Sequence, residues 1–315
     1  MHHPLSDLLA RRGSLVIDGA MSTALESKGC DLNDSLWSSK VLIESPETIK
    51  AVHRDYFDAG ANIAITASYQ ASEAGFAKRG YDARESRALI MRSVELAQEA
   101  RSEWAAAEPG RTTADCLIAG AVGPYGAYLA NGAEYTGDYA LTKDEFKRFH
   151  ELRVNALIDA GADILAFETM PRFDEVEALL ELIAGRDVTC WVTVTFAKTG
   201  GETMADGTEL EKLAKLLDAN PQVEAFGLNC VKRPLVEAAL KRFRSVSTKP
   251  LIVYPNSGEV YDPSTKTWHQ PPAGSIESQG WGHYVPLWKQ LGAVCLGGCC
   301  RTLPADILQI SKLME

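Results

Sequence analysis

No apolar run in this 315-residue chain approaches the roughly 20 residues a helix needs to span a bilayer, so a membrane-embedded helical protein is not expected. The start, Met1-His2-His3-Pro4 followed by Asp7, Arg11 and Arg12, lacks the apolar core of a secretory signal. Basic excess is also missing. A formal net charge of −10 at pH 7 argues against nonspecific nucleic-acid binding, which depends on a cationic surface. The glycine-rich loops that cradle dinucleotides or nucleoside triphosphates are absent, and no C-x-x-C pair marks a thioredoxin-like redox centre. His53, His150, His269 and His283 show no metal-ligand spacing. Seven cysteines, an odd number in a chain too long to need staples, read as reduced thiols in a cytoplasmic protein.

What is present is an ordinary globular composition, 46% hydrophobic and 23% charged, able to fill a sizeable core. Short β-branched runs recur at Ser14-to-Asp18, Ile63-to-Ala67, Cys116-to-Val122, Asp163-to-Glu168, Val188-to-Phe196, Glu224-to-Asn229, Pro250-to-Tyr254 and Ala293-to-Leu296. Helical patterns separate them. Thr142 with Glu145 and Thr208 with Glu211 have capping-box spacing, Ser45-Pro46-Glu47 reads as a helix start, and 86–104 carries an amphipathic stripe. A faint repeat, Asp58-Ala59-Gly60-Ala61 and Asp159-Ala160-Gly161-Ala162, puts glycine where a helix ends and a strand begins. Eight apolar strands alternating with helices predict a closed (β/α)8 TIM barrel, with a doubly wound open sheet as the alternative. No linker divides the chain, so one domain over 1–315 is expected. The irregular stretch from Asn256 to about Gly282 follows the seventh strand and is expected to overhang the mouth.

A barrel places its chemistry at the C-terminal ends of its strands. Those ends carry Asp18, Ser68, Gly123, Glu168, Thr195, Asn229 with Cys230, Asn256, and Cys299 with Cys300. Three thiols, Cys230, Cys299 and Cys300, can converge there on one thiophilic ion and leave a fourth position open, the pattern of a catalytic zinc site. Buried free cysteine is the plain alternative, and a strained disulfide between the neighbours a rarer one. Asp18 and Glu168 end apolar strands, where they can hold an ammonium group or serve as an acid/base pair. Trp37, Tyr69, Tyr125 and Tyr128 fall in predicted loops, and their faces attract cations.

Together these residues resemble the homocysteine S-methyltransferase family, and most of all its bacterial and plant branch that uses S-methylmethionine or S-adenosylmethionine. The resemblance runs through Ile17-Asp18-Gly19-Ala20-Met21, Asp34-Ser35-Leu36-Trp37-Ser38, Ile65-Thr66-Ala67-Ser68-Tyr69-Gln70-Ala71, Gly123-Pro124-Tyr125-Gly126-Ala127-Tyr128, Glu168-Thr169, Gly227-Leu228-Asn229-Cys230, Val253-Tyr254-Pro255-Asn256 and Gly297-Gly298-Cys299-Cys300-Arg301. It implies that Cys230, Cys299 and Cys300 hold Zn2+, that Asp18 and Glu168 hold the homocysteine amino group, and that the amides of Gly19 and Ala20 lie near its carboxylate. Trp37 matches a donor-pocket aromatic of the betaine-using branch. Where that branch has a zinc-ligating tyrosine, this chain has Gln70 beside Tyr69, as in the S-methylmethionine users, and water is the expected fourth ligand. Ser68, Asn229, Tyr69 and Gln70 complete the expected substrate contacts. The implied reaction is methyl transfer to the homocysteine thiolate, giving methionine, in a monomer or small homo-oligomer with small-molecule substrates only. Betaine-dependent transfer, service to a separate corrinoid methyl carrier, and thiol oxidoreduction are the competing readings.

Overall fold

The computed structural model describes residues 2–32, 36, 38–196, 200–262 and 267–315. All eight expected strands form: β1 (Leu15–Val16), β2 (Ile63–Ile65), β3 (Leu117–Val122), β4 (Ile164–Met170), β5 (Cys190–Val194), β6 (Val223–Asn229), β7 (Leu251–Tyr254) and, after a short hairpin of β8 (Val260–Asp262) and β9 (Thr267–His269), β10 (Ala293–Leu296). The eight pair in parallel in the order β1-β10-β7-β6-β5-β4-β3-β2. A parallel bridge between Ile17 and Ile63 joins the two ends of that order. Asp18 N–H donates to Ile63 O at 3.0 Å, and Asn62 N–H to Val16 O at 2.7 Å. The strand order advances around a ring without reversing, so the fold is a (β/α)8 barrel and the open-sheet alternative falls.

The strands are apolar on both faces because both are covered. Leu15, Ile17, Ile63, Ala119, Ile164, Ala166, Trp191, Ala225 and Ile252 fill the barrel interior together with Leu5 and Leu8 of the helix Pro4–Arg12, which stops one end. Their alternates, among them Val16, Ala64, Ile118, Leu165, Val192 and Val253, pack outward against the helices. Gly60, Gly161 and Gly292 adopt φ of 99°, 78° and 91°, which explains the repeated glycine between helix and strand.

Some local expectations change. The Thr142–Glu145 capping box forms, but the helix after Thr208 begins only at Leu210 with Glu209 at its cap, so Thr208 and Glu211 make no box. The helix expected over 86–104 extends from Ala83 to Ala107, because Asp82 and Glu85 cap it one turn earlier. Tyr125 and Tyr128 belong to the helix Tyr125–Leu129, where they pack with one another and with Phe149. The stretch after β7 holds the β8/β9 hairpin, fastened to the mouth by Arg301, which bonds Glu259 at 2.7 Å and lies 5.6 Å from the Trp268 ring. Among the described residues, no helix is long and apolar enough to cross a membrane.

Candidate metal centre and amino-acid pocket

Two strand ends bring the thiols together. Beyond β6 the chain turns at Cys230 with φ of 54°, and its N–H donates to Tyr254 O at the end of β7. Beyond β10, Gly297 and Gly298 run so close to their neighbours that added Cβ atoms would meet Ile17 O at 2.6 Å and the Thr302 hydroxyl at 2.3 Å. Side chains cannot occupy that space, and the following residues are drawn inward: Cys299 N–H donates to Pro255 O, and Cys300 O accepts from Ser257 N–H. The Cys230 and Cys300 sulfurs lie 3.4 Å apart, and all three sulfurs fall within 4.8 Å of one another. The corners of a tetrahedron with Zn–S bonds of about 2.3 Å are about 3.8 Å apart, so the three donors fit one tetrahedral ion.

The chain spends backbone strain here. Positive φ in residues other than glycine occurs at Thr169 (59°), Cys230 (54°) and Arg301 (67°), all at the cavity or next to it, and elsewhere among the described residues only at Ala130. Each such residue costs on the order of 1–3 kcal/mol and persists only where its surroundings enforce it. Thiol hydrogen bonds from Cys230 and then Cys299 bring Cys300 well below an ordinary thiol, while Cys299 is raised by Cys230 and Cys300. Cys230 is raised as well, so the three thiols share their protons unequally and only Cys300 is favoured as a thiolate. Tyr135 adds a hydroxyl 3.3 Å from the Cys230 sulfur. Cys116, Cys190 and Cys295 are ordinary core thiols, and burial raises Cys116 to about 12.

Asp18 and Glu168 line the same cavity as the thiols. Burial raises Asp18 well above the usual carboxylate range; the Ile65 N–H that donates to its Oδ2 at 2.9 Å pulls the other way, and the Glu168 charge adds to the rise. Burial raises Glu168 to about 7 against the lowering effects of Tyr254 and Arg153. Burial thus disfavours the charged form of both acids, and the Glu168 charge disfavours that of Asp18 further, an environment that a cationic group in the cavity would offset. Asn229 lines the cavity but commits its amide to Thr169, accepting from Thr169 N–H at 2.8 Å and donating to Thr169 Oγ1 at 2.7 Å. It thereby holds the strained turn that aims Glu168. Arg153, buried and pushed down to about 10 by desolvation, ties Tyr69 O and Gly123 O to His150, which bonds Glu175.

The remaining expected contacts divide. Gly19, Ala20, Tyr69 and Gln70 line the cavity. A Cβ on Gly19 would meet the Tyr56 ring at 2.8 Å. The Ala20 N–H, expected near a carboxylate, already donates to Thr302 O and Oγ1 at 3.3 and 3.2 Å. Gln70 donates to Ala127 O at 3.3 Å. Ser68, expected as a substrate contact, does not line the cavity: its hydroxyl donates to Ala121 O at 2.8 Å and pairs with Thr66 Oγ1 at 2.7 Å, fully buried. β2 ends at Ile65, and the turn that follows gives the lining position to Thr66. Trp37 lies outside the described residues. Glu134, Tyr135 and Tyr254 line the cavity and were not singled out as site residues from the sequence. Glu134 and Tyr135 stand in a short 3-10 turn, Ala133–Tyr135, that follows no strand end and has no pattern of its own.

Comparison with known proteins agrees with this architecture. The homocysteine S-methyltransferase family model matches residues 15–314. The chain is 50% identical to Homocysteine S-methyltransferase of Escherichia coli K12, with 97% of each protein covered. It is 46% identical to Homocysteine S-methyltransferase YbgG of Bacillus subtilis, covering 98% of this chain and 97% of that protein. Identity to Homocysteine S-methyltransferase 1 of Arabidopsis thaliana is 40%, covering 98% of this chain and 96% of that protein. The crystal structure of the metallated form of the E. coli homocysteine methyltransferase MmuM superposes with a TM-score of 0.88 at 47% identity, covering 98% of this chain and 99% of that one. A metallated relative and three convergent thiols in this chain together point to a metal. This chain is an enzyme of the homocysteine S-methyltransferase family.

Proposed function

We propose that this enzyme binds Zn2+ through Cys230, Cys299 and Cys300 and transfers a methyl group from a sulfonium donor, S-methylmethionine or S-adenosylmethionine, to homocysteine. The observation that carries the reading is the juxtaposition in one cavity of three sulfur atoms within 4.8 Å and a buried pair of acids. Bound there, zinc would supply the positive charge that favours a sulfur substrate as its thiolate at neutral pH. Asp18 and Glu168 hold the homocysteine ammonium, with its carboxylate toward the Gly19 side of the cavity. An amino acid held by its ammonium group at two strand ends would share the cavity with the thiols, within which its side-chain sulfur can be directed toward them. Fixing that direction removes much of the entropic part of the barrier. Sulfonium donors are favoured over betaine because Tyr69-Gln70 resembles the sequence of the S-methylmethionine users, and both residues line the cavity. The methionine formed is a neutral thioether with little affinity for the thiol-lined end.

Two measurements test the reading. Metal analysis of gently purified protein should find about one zinc per chain; protein active with no zinc, or with a different metal restoring more activity, rejects the assignment. At fixed homocysteine, transfer from S-methylmethionine, S-adenosylmethionine and betaine is compared with isolated protein. Activity with betaine alone, or only with an added corrinoid carrier, rejects the donor class.

A further inference from the structure

A third acid in the cavity is not used by this reading. Glu134 lines it, is 7% exposed, and leaves its Oε2 fully buried with no hydrogen-bond partner among the described residues. Leaving a carboxylate oxygen desolvated without a donor costs more than almost any other local defect, so such an atom in a binding cavity marks a place for a ligand donor. It comes from a different element than the other two acids. Asp18 follows β1 and Glu168 lies in β4, whereas Glu134 stands in the 3-10 turn Ala133–Tyr135, whose Tyr135 hydroxyl lies 3.3 Å from the Cys230 sulfur. A pair of acids thus comes from strand ends and a single acid from a turn that touches the thiols.

We infer that Glu134 receives the α-ammonium group of an amino-acid sulfonium donor, so that the enzyme recognises its methyl donor by that donor's own amino group. This inference rests on the sulfonium-donor reading above. Homocysteine brings one ammonium, matched by Asp18 and Glu168; a donor that is itself an amino acid brings a second, matched by Glu134. The group must carry N–H, because neither a sulfonium nor a quaternary ammonium can donate the hydrogen bond that Oε2 lacks. Glu134 is then a specificity determinant selecting amino-acid sulfonium ions over simple methylated cations.

The test compares S-methylmethionine with 4-(dimethylsulfonio)butyrate, which has the same sulfonium and carboxylate but no amino group, in the zinc-loaded wild type and Glu134→Gln. Wild type should favour S-methylmethionine by about 10- to 100-fold in kcat/KM, the range of a hydrogen bond to a charged group. In Glu134→Gln that ratio should collapse toward one through loss with S-methylmethionine alone, while homocysteine KM and zinc content hold. A ratio unchanged by the substitution, an equal loss with both donors, or a rise confined to homocysteine KM overturns the inference and leaves the donor class standing. A wild type inactive with both S-methylmethionine and S-adenosylmethionine sinks the donor class and the inference with it. Glu134→Asp, which keeps the charge and withdraws it by one methylene, should recover part of the ratio; a ratio equal to that of Glu134→Gln counts against the inference.

Discussion

Glu168 offers a prediction whose size and sign can both be worked out. Burial holds its acid at about 7, so near neutral pH it is only partly ionised in the empty pocket. A ligand ammonium needs the carboxylate. Binding of an amino acid should therefore tighten as pH rises toward 7 and level off above it. At pH 6 about one site in eleven is ionised, which weakens apparent affinity about tenfold relative to the plateau, or about 1.4 kcal/mol. Methionine is the suitable probe, because it has no thiol proton to complicate the profile. Titration calorimetry from pH 5.5 to 8.5 should show that inflection in the wild type. Glu168→Gln should abolish it and lower plateau affinity by about 10- to 100-fold, the loss of a charge-assisted hydrogen bond. Zinc should remain bound in the variant. A wild-type affinity flat with pH, an inflection that survives in Glu168→Gln, or metal loss accompanying the substitution would show that Glu168 does not hold the amino group.

Other outcomes follow from the geometry. Cys300→Ala should lose zinc and turnover together; an active, zinc-free variant would refute the ligand assignment. Gly227→Ala would place a Cβ 1.9 Å from Ile252 O, prising β6 from β7 and Cys230 from its partners, so thermal melts should show a loss of about 3 kcal/mol or more with reduced metal retention. Asn229→Ala should weaken methionine binding with zinc retained, since it removes both bonds to Thr169; a loss confined to zinc would contradict this. His53 is buried, both ring nitrogens lack hydrogen-bond partners among the described residues, and desolvation lowers it to about 4. The unfolded chain therefore binds the extra proton between about pH 6.5 and 4, and stability present above that window is lost as pH falls through it, by roughly 3 kcal/mol. His53→Leu should shrink that fall in acid melts, and an unchanged profile would place the acid sensitivity elsewhere.

Strand positions were legible because a parallel barrel needs apolar residues on both faces of each strand, a pattern that Cys116-to-Val122 and the Ala225-to-Leu228 part of β6 display without interruption. The thiol site was legible for a related reason: paired glycines before paired cysteines, at the end of an apolar run, have few other uses. Ser68 misled because the second strand was expected to run to Ala67, which put Ser68 at its end, whereas the strand stops at Ile65 and the chain has already turned. Thr208 misled because capping-box spacing is short and recurs by chance, whereas the helix start was decided by the packing of Leu210 and Leu213. Glu134 and Tyr135 left no trace in the pattern. Their place depends on a 3-10 turn folding back over the rim, a tertiary contact that no local periodicity encodes.

The shortest strand has a consequence for the oldest question about an active-site acid, whether it can be exchanged. β1 meets β2 through a single bridge, and just past that bridge the Asp18 side chain takes up the Ile65 N–H that a longer strand would have bonded with its own backbone. One carboxylate oxygen rivets the seam of the barrel, and on the function proposed above the other is left for the guest. Architecture and recognition share a residue of fixed length: glutamate overshoots the rivet, alanine opens the joint, and asparagine can mend the wall without welcoming the cation. Selection on this position is therefore selection on two properties at once.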